Sequence, residues 1–276
     1  MTSAVAVVLV SALLGTTPTP APAAKKHAFK VVYEDTTKPD LAPIAAKMKE
    51  KRVLEGAAEM LGALKLPRTL TLKATSCGES NAWYDSETDV ITFCYELVSD
   101  FIKQAGKSGK FNLTPEQAVV GPFLFIVLHE TAHAVFGVLA VPVLGREEDA
   151  ADQVATYAAT QIGGDFAERM LRAAAFMYDQ DSATRKPGEE DFADVHGLDR
   201  QRFYNVLCLA WGSDPKRYAF AKEMGKLPDD RAEGCADEYK QVRYAVQTLI
   251  RKNVDQKQVA EIRAKAAKSK FGRSAP

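Results

Sequence analysis

His129-Glu130-Thr131-Ala132-His133 sets two imidazoles four residues apart, with a carboxylate between them. On a helix, positions i and i+4 lie on one face, so both rings can converge on a single metal ion. Zinc suits such a pair, because imidazole is a favourable ligand and a catalytic site keeps one tetrahedral position for water. One catalytic Zn2+ there would bring the pKa of a water towards ~7, and Glu130 is placed beside the ion to act as general base. Leu128, Ala134, Val135 and Phe136 around the motif are uncharged, so the helix is expected to lie against the core. Imidazoles and a carboxylate buried without a shared purpose would be costly to desolvate.

Two histidines leave the site one ligand short. The chain has four histidines, and none follows His133 at the spacing that would complete the set from the same segment. The next candidates are acidic: Glu147, Glu148, Asp149 and Asp152. Glu148 and Asp152 form an E-x-x-x-D pair on one helical face, so Glu148 is the expected third ligand. Asp152 is expected to accept the N–H of a ligating histidine and fix its tautomer. The same acids would also suit a helix amino terminus with no metal at all.

The elements that must hold these residues divide into strands first and helices after, which makes the fold class α+β. Phe29–Tyr33 and Thr69–Lys73 read as strands. Ser80–Tyr95 reads as a hairpin, Asn81–Tyr84 and Val90–Phe93 flanking a polar turn. Helical spacing covers Asp40–Leu64, with Asp40 as its cap, and then Tyr95–Ala105. Gly106–Leu113 reads as a polar loop. Thr114 and Gln117 form a capping pair with Pro115 between them, and an apolar helix over Phe123–Leu139 ends before Pro142. Further helices are expected at Glu147–Ile162, Asp165–Asp179, Asp199–Trp211, Pro215–Met224 and Asp230–Lys252.

The 276 residues suit one substantial core, and 36 basic side chains balance 36 acidic ones. That balance argues against nucleic acid or an anionic membrane as the main partner. The first two dozen residues read as a secretory signal: an apolar run from Ala4 to Gly15, then a small-residue region ending in Ala21-Pro22-Ala23. Cleavage near Ala23 or Ala24 would leave a secreted or periplasmic domain over 25–252, followed by a basic, solvated or frayed tail over 253–276. The apolar stretch Phe123–Leu144 raises an intramembrane protease as an alternative, but the rest of the chain lacks the further spans that reading needs, so no stable membrane insertion of the mature chain is expected. Cys77, Cys94, Cys208 and Cys235 include no C-x-x-C pair. In an exported chain they are expected as two disulfides, Cys77 with Cys94 and Cys208 with Cys235, each stapling a local unit.

The H-E-x-x-H and E-x-x-x-D pattern resembles that of the gluzincins, the thermolysin-like branch of zinc peptidases. The segments Cys-Gly-Glu-Ser-Asn-Ala-Trp-Tyr from Cys77, Gly-Arg-Glu-Glu-Asp-Ala-Ala-Asp from Gly145 and His-Gly-Leu-Asp-Arg-Gln-Arg-Phe-Tyr-Asn from His196 are similar to a family of bacterial metallopeptidases long described as a domain of unknown function. The resemblance implies a zincin-like fold with a small amino-terminal sheet and a helical carboxy-terminal half closing the cleft. It implies that Asn81-Ala82 is an edge that pairs with an extended peptide substrate. It implies His196 as the group that stabilises the oxyanion, with Tyr204 and Arg202 as alternatives. Calcium dependence is not carried over, since no calcium-loop pattern is seen. A non-catalytic zinc-binding or interaction protein on the same scaffold is the competing reading.

Overall fold

A computed structural model of the chain describes residues 29–183, 186–224 and 226–273. The secretory-signal reading falls on residues outside these. Strands β1 (Lys30–Tyr33), β2 (Thr71–Thr75), β3 (Ala82–Asp85) and β4 (Val90–Cys94) form one mixed sheet in the order β1-β2-β4-β3. The pairs β1–β2 and β2–β4 are parallel, and β3 runs antiparallel to β4 at one edge. Leu72, Ala74, Ile91 and Phe93 are fully buried, so the two central strands supply the sheet's share of the core.

The rest is helical. In chain order the helices are α1 (Ala42–Glu50), α2 (Val53–Met60), α3 (Tyr95–Gln104), α4 (Pro115–Val138), α5 (Glu147–Ile162), α6 (Gly164–Ser182), α7 (Glu189–Ala193), α8 (Asp199–Ser213), α9 (Phe220–Glu223), α10 (Asp229–Glu233), α11 (Cys235–Leu249) and α12 (Gln256–Lys268). The chain is therefore α+β, with a small sheet followed by a mostly helical body. Helix α4 is the central element: it packs on α5 and α6, and its flank meets α3 and the edge strand β3. It opens with a capping box in which Gln117 N donates to Thr114 Oγ1 at 3.1 Å and Thr114 N donates to Gln117 Oε1 at 3.0 Å. The helix continues through Pro122, which has no N–H to give the preceding turn. Gly121 lets α6 approach closely, since a Cβ there would collide with that of Ala173. Among the described residues α4 is the one helix long and apolar enough to cross a membrane, yet 72% of that stretch is buried inside the molecule.

Several expectations are corrected. The single helix over Asp40–Leu64 is two, because Arg52 adopts a left-handed conformation (φ 53°) and breaks it. The break is supported from the sheet: the Tyr33 hydroxyl accepts from Leu54 N and donates to Glu55, both at 2.8 Å. Asp40 is not the cap; Leu41 holds that position without a side-chain bond. Ala105–Phe111 is a 3-10 helix rather than a loop, anchored by buried Phe111. The expected helix at Pro215–Met224 shrinks to α9, and that at Asp230–Lys252 divides into α10 and α11. As far as Arg273, the basic tail is folded and not frayed. Helix α12 docks on α5 and α6, and Gln117 Nε2 donates to the carbonyls of Phe271 at 2.6 Å and Arg273 at 2.8 Å.

Both expected disulfides are formed, Cys77–Cys94 and Cys208–Cys235. Such bonds persist in oxidising compartments, consistent with a periplasmic or extracellular location. The second ties α8 to the start of α11, where the helices cross so closely that a Cβ on Gly212 would run into the backbone carbonyl of Cys235. Alanine normally favours a helix over glycine by about 1 kcal/mol, but a clash with backbone cannot be relieved by a rotamer change. Gly212→Ala is therefore expected to destabilise the fold by about 1–3 kcal/mol net, read from urea unfolding midpoints. An unchanged midpoint would show that the crossing can open.

The first disulfide sits beside a carboxylate latch. Glu96 accepts from the backbone N–H groups of Cys77 at 3.0 Å and Gly78 at 2.8 Å, from the Ser76 hydroxyl at 2.9 Å and from Lys38 at 2.9 Å. Burial alone would raise its pKa, but these donors prevail and hold it down at about 2. A depressed carboxylate stabilises the fold above its unfolded value and ceases to as pH falls through the folded one. Glu96→Gln should thus lower the thermal midpoint at pH 7, with the gap to the parent chain closing between about pH 4.5 and pH 2. A gap that widened on acidification would refute the latch.

Candidate metal centre

The HExxH segment begins in the fifth turn of α4, and the core closes over it: His129 is 4% exposed and Glu130 7%. The acids come from α5, whose first turn holds Glu147, Glu148 and Asp149, where the helix dipole favours negative charge. Packing α5 on α4 carries Glu148 to the open side of the histidine pair. His129 Nε2 lies 3.0 Å from Glu148 Oε2, His133 Nε2 lies 3.3 Å from the same oxygen, and the two Nε2 atoms are 3.2 Å apart. Ligand atoms around a tetrahedral ion at 2.0–2.2 Å stand roughly 3.3–3.6 Å from one another, so this triangle is within a few tenths of an ångström of a ready-made site. His129, His133 and Glu148 form a group able to hold a metal ion.

The opposite ring nitrogens are committed elsewhere. His129 Nδ1 faces Asp152 Oδ1 at 2.8 Å, and His133 Nδ1 faces Glu147 Oε1 at 2.7 Å. Each Nδ1–H therefore has a carboxylate to donate to, which leaves both Nε2 lone pairs pointing at the shared position. Glu147 is an outer partner of His133 and is not in the metal-binding group, while Asp149 turns away to pair with Arg146 at 3.2 Å.

Asp152 is the hub of the buried layer behind the histidines. Its carboxylate accepts from Arg202 Nε at 2.7 Å and Nη2 at 2.9 Å, and from the Tyr178 hydroxyl at 3.0 Å. The guanidinium also lies over the Tyr178 ring. Burial would push the Asp152 pKa up, but Arg202 and His129 hold it well below the carboxylate range. Arg202 is raised by the reciprocal charge, against its own desolvation. Asp152 thus stays ionised and His129 stays oriented. Arg202, weighed as an oxyanion donor, has its guanidinium spent on Asp152. Tyr204, the other alternative, accepts from Arg200 Nη2 at 3.1 Å and lines a separate surface depression with Asn205 and Pro228.

The local field favours a cation. Burial would lower His129, yet its bonds to Asp152 and Glu148 raise it to about 9. Burial would likewise raise Glu148, but contacts with His129, His133 and His196 hold it far below the usual range. Glu130 stands apart: burial raises its carboxyl, and the strongest opposing influences are His129 and His133. The nearby backbone N–H of Tyr84 on β3 acts weakly in the same lowering direction.

Two further features face the same place. His196 sits on the loop before α8, half exposed, with Nε2 3.0 Å from Glu148 Oε2. It lies outside the group of His129, His133 and Glu148 that could hold a metal ion. Its Nδ1 lies 2.8 Å from Asp194 Oδ1, and Arg146 Nη1 ties its carbonyl to the start of α5 at 3.2 Å. Strand β3 supplies an edge. Cys94 N bonds to Asn81 O, so the alternation of an antiparallel ladder turns the backbone polar groups of Ala82 and Tyr84 away from β4. Asn81 Oδ1 accepts from Ala82 N at 2.8 Å.

Sequence reasoning did not pick out Asp194 or Tyr178. The D-x-H spacing of Asp194 and His196 was a usable sign of a carboxylate–imidazole pair. Tyr178 left none, because only the packing of α6 on α4 brings it to Asp152.

No curated protein and no solved structure matches the chain. A family model described as "Putative metallopeptidase" matches residues 33–250, well over half of the sequence and every residue of the cluster around the two histidines. The chain belongs to that family.

Proposed function

We propose that this chain is a zinc-dependent peptidase of the gluzincin type that acts outside the cytoplasm. The reading is carried by the triangle of His129 Nε2, His133 Nε2 and Glu148 Oε2, which no fourth His, Cys, Asp or Glu joins among the described residues, with Glu130 beside it. An open fourth position is what separates a catalytic site from a structural one. When bound, the ion supplies Lewis-acid polarisation of the scissile carbonyl and acidifies a water.

The chain's own residues do the rest. Glu130, buried beside the two histidines, takes the proton of the attacking water and returns it to the leaving amine. At Asn81-Ala82 the edge of β3 holds an extended peptide by backbone pairing: Ala82 C=O lies on the row facing away from β4, and the peptide takes over the Ala82 N–H that Asn81 Oδ1 otherwise accepts. His196, steadied by Asp194, donates from Nε2 to the developing oxyanion. Asp152 and Arg202 position His129. Zinc is favoured over harder cations because two of the three donors are imidazole nitrogens.

The test is metal analysis of the purified protein together with cleavage of a broad peptide library, with and without a chelator. About one zinc per chain and chelator-sensitive cleavage are expected. Zinc without any cleavage would favour the non-catalytic reading of the scaffold, and no zinc uptake would end both.

A further inference from the structure

The turns of α4 that carry the histidines have a second face. Leu128, Thr131, Ala132 and Val135 floor a cavity of about 390 Å3, walled by Val154 and Ala158 of α5. The outer wall is the carboxy-terminal segment, with Val246, Ile250, Val254 and Ile262 facing inward. That wall is fastened by backbone bonds from Lys65 N to Asn253 O and from Asp255 N to Ala63 O, both 2.8 Å. The size falls within the range of small-molecule sites, which are mainly apolar with a few placed polar groups.

The polar groups at this mouth are of one sign. Arg243, Arg251 and Arg263 line it, with no aspartate or glutamate among the lining residues, in a chain whose charges otherwise balance. Arg263 is held by Gln161, to whose carbonyl it donates. Arg243 and Arg251 are exposed, and among the described residues their guanidinium groups make no hydrogen bond or ion pair. Both lie close enough to the Tyr157 hydroxyl, itself on the cavity wall, to act on it electrostatically.

An apolar chamber with two uncommitted guanidinium groups at its entrance complements an apolar body carrying an anionic head. We propose that this cavity binds a single-chain anionic amphiphile, its alkyl chain against Leu128, Ala132 and Val135 and its carboxylate or phosphate head on Arg243 and Arg251. Burial of the chain supplies the affinity, and the planar guanidinium forks select the head. The site lies across α4 from the histidines and can be read without turnover.

The test is calorimetric titration of the full chain with dodecanoate, dodecyl phosphate, dodecanol and dodecyltrimethylammonium, each below its micellar concentration. Saturable one-to-one binding of an anionic ligand, at least tenfold tighter than that of the alcohol or the cation, is expected. The tighter of the two anions identifies the head. Arg243→Gln with Arg251→Gln should leave the unliganded melting temperature unchanged, since both side chains are exposed, and weaken binding at least tenfold. Ala158→Phe, which occupies the chamber, should remove it. Equal binding of the cation, an affinity indifferent to the arginine substitutions, or no saturable binding would each overturn the proposal.

Discussion

Glu130→Gln is expected to keep its metal and lose peptide hydrolysis, with kcat/KM lower by roughly 10²- to 10⁴-fold. The amide has the shape of the carboxylate, so the buried pocket around it should persist. It cannot take a proton. Because Glu130 is outside the group formed by His129, His133 and Glu148, zinc content should match that of the parent chain. Steady-state cleavage of a substrate from the peptide library, with metal content measured on the same samples, decides the matter. Full turnover in a zinc-loaded variant would remove Glu130 as the base. Loss of zinc would mean that its role is structural.

The second large effect separates the neighbouring acids of α5. Glu148→Ala removes one of three donors, and zinc affinity should fall by well over 100-fold. Glu147→Ala removes the partner of His133 Nδ1, and Asp152→Asn takes the charge from the partner of His129 Nδ1 and from its pairing with Arg202; such partners are typically worth 10–100-fold. The smaller loss is expected for Glu147, which is largely exposed, and the larger for Asp152, which is buried under Arg202 and Tyr178. Competition titrations with a chromophoric zinc chelator give the three affinities on one scale. Equal losses for Glu147→Ala and Glu148→Ala would dissolve the distinction between a ligand and its neighbour.

Much of this arrangement was legible beforehand because it is local. The period of an α-helix puts residues 129 and 133 on one face and residues 148 and 152 on another, whatever surrounds them. The capping pair Thr114–Gln117 and the hairpin around Asp85–Asp89 are likewise settled within a few residues. Where local signals were followed too far, distant contacts intervened. Nothing near Lys51 announces a break, since the group that supports it is Tyr33 on β1. The basic carboxy-terminal stretch reads as solvated because its charged side chains are mostly of one sign, yet a few apolar side chains and two carbonyls bound by Gln117 dock it on the body.

The sequence by itself determined the donor types and their spacing along two helices, both properties of short stretches of chain. Only the tertiary structure decided which acid reaches the imidazoles, that Arg202 pairs with Asp152, and that His196 arrives with Asp194 behind it. Those choices depend on how α5, α6 and the loop before α8 pack around α4. Side-chain contacts between segments tens of residues apart are set by the shape of the shared core, and no short stretch of sequence contains that shape.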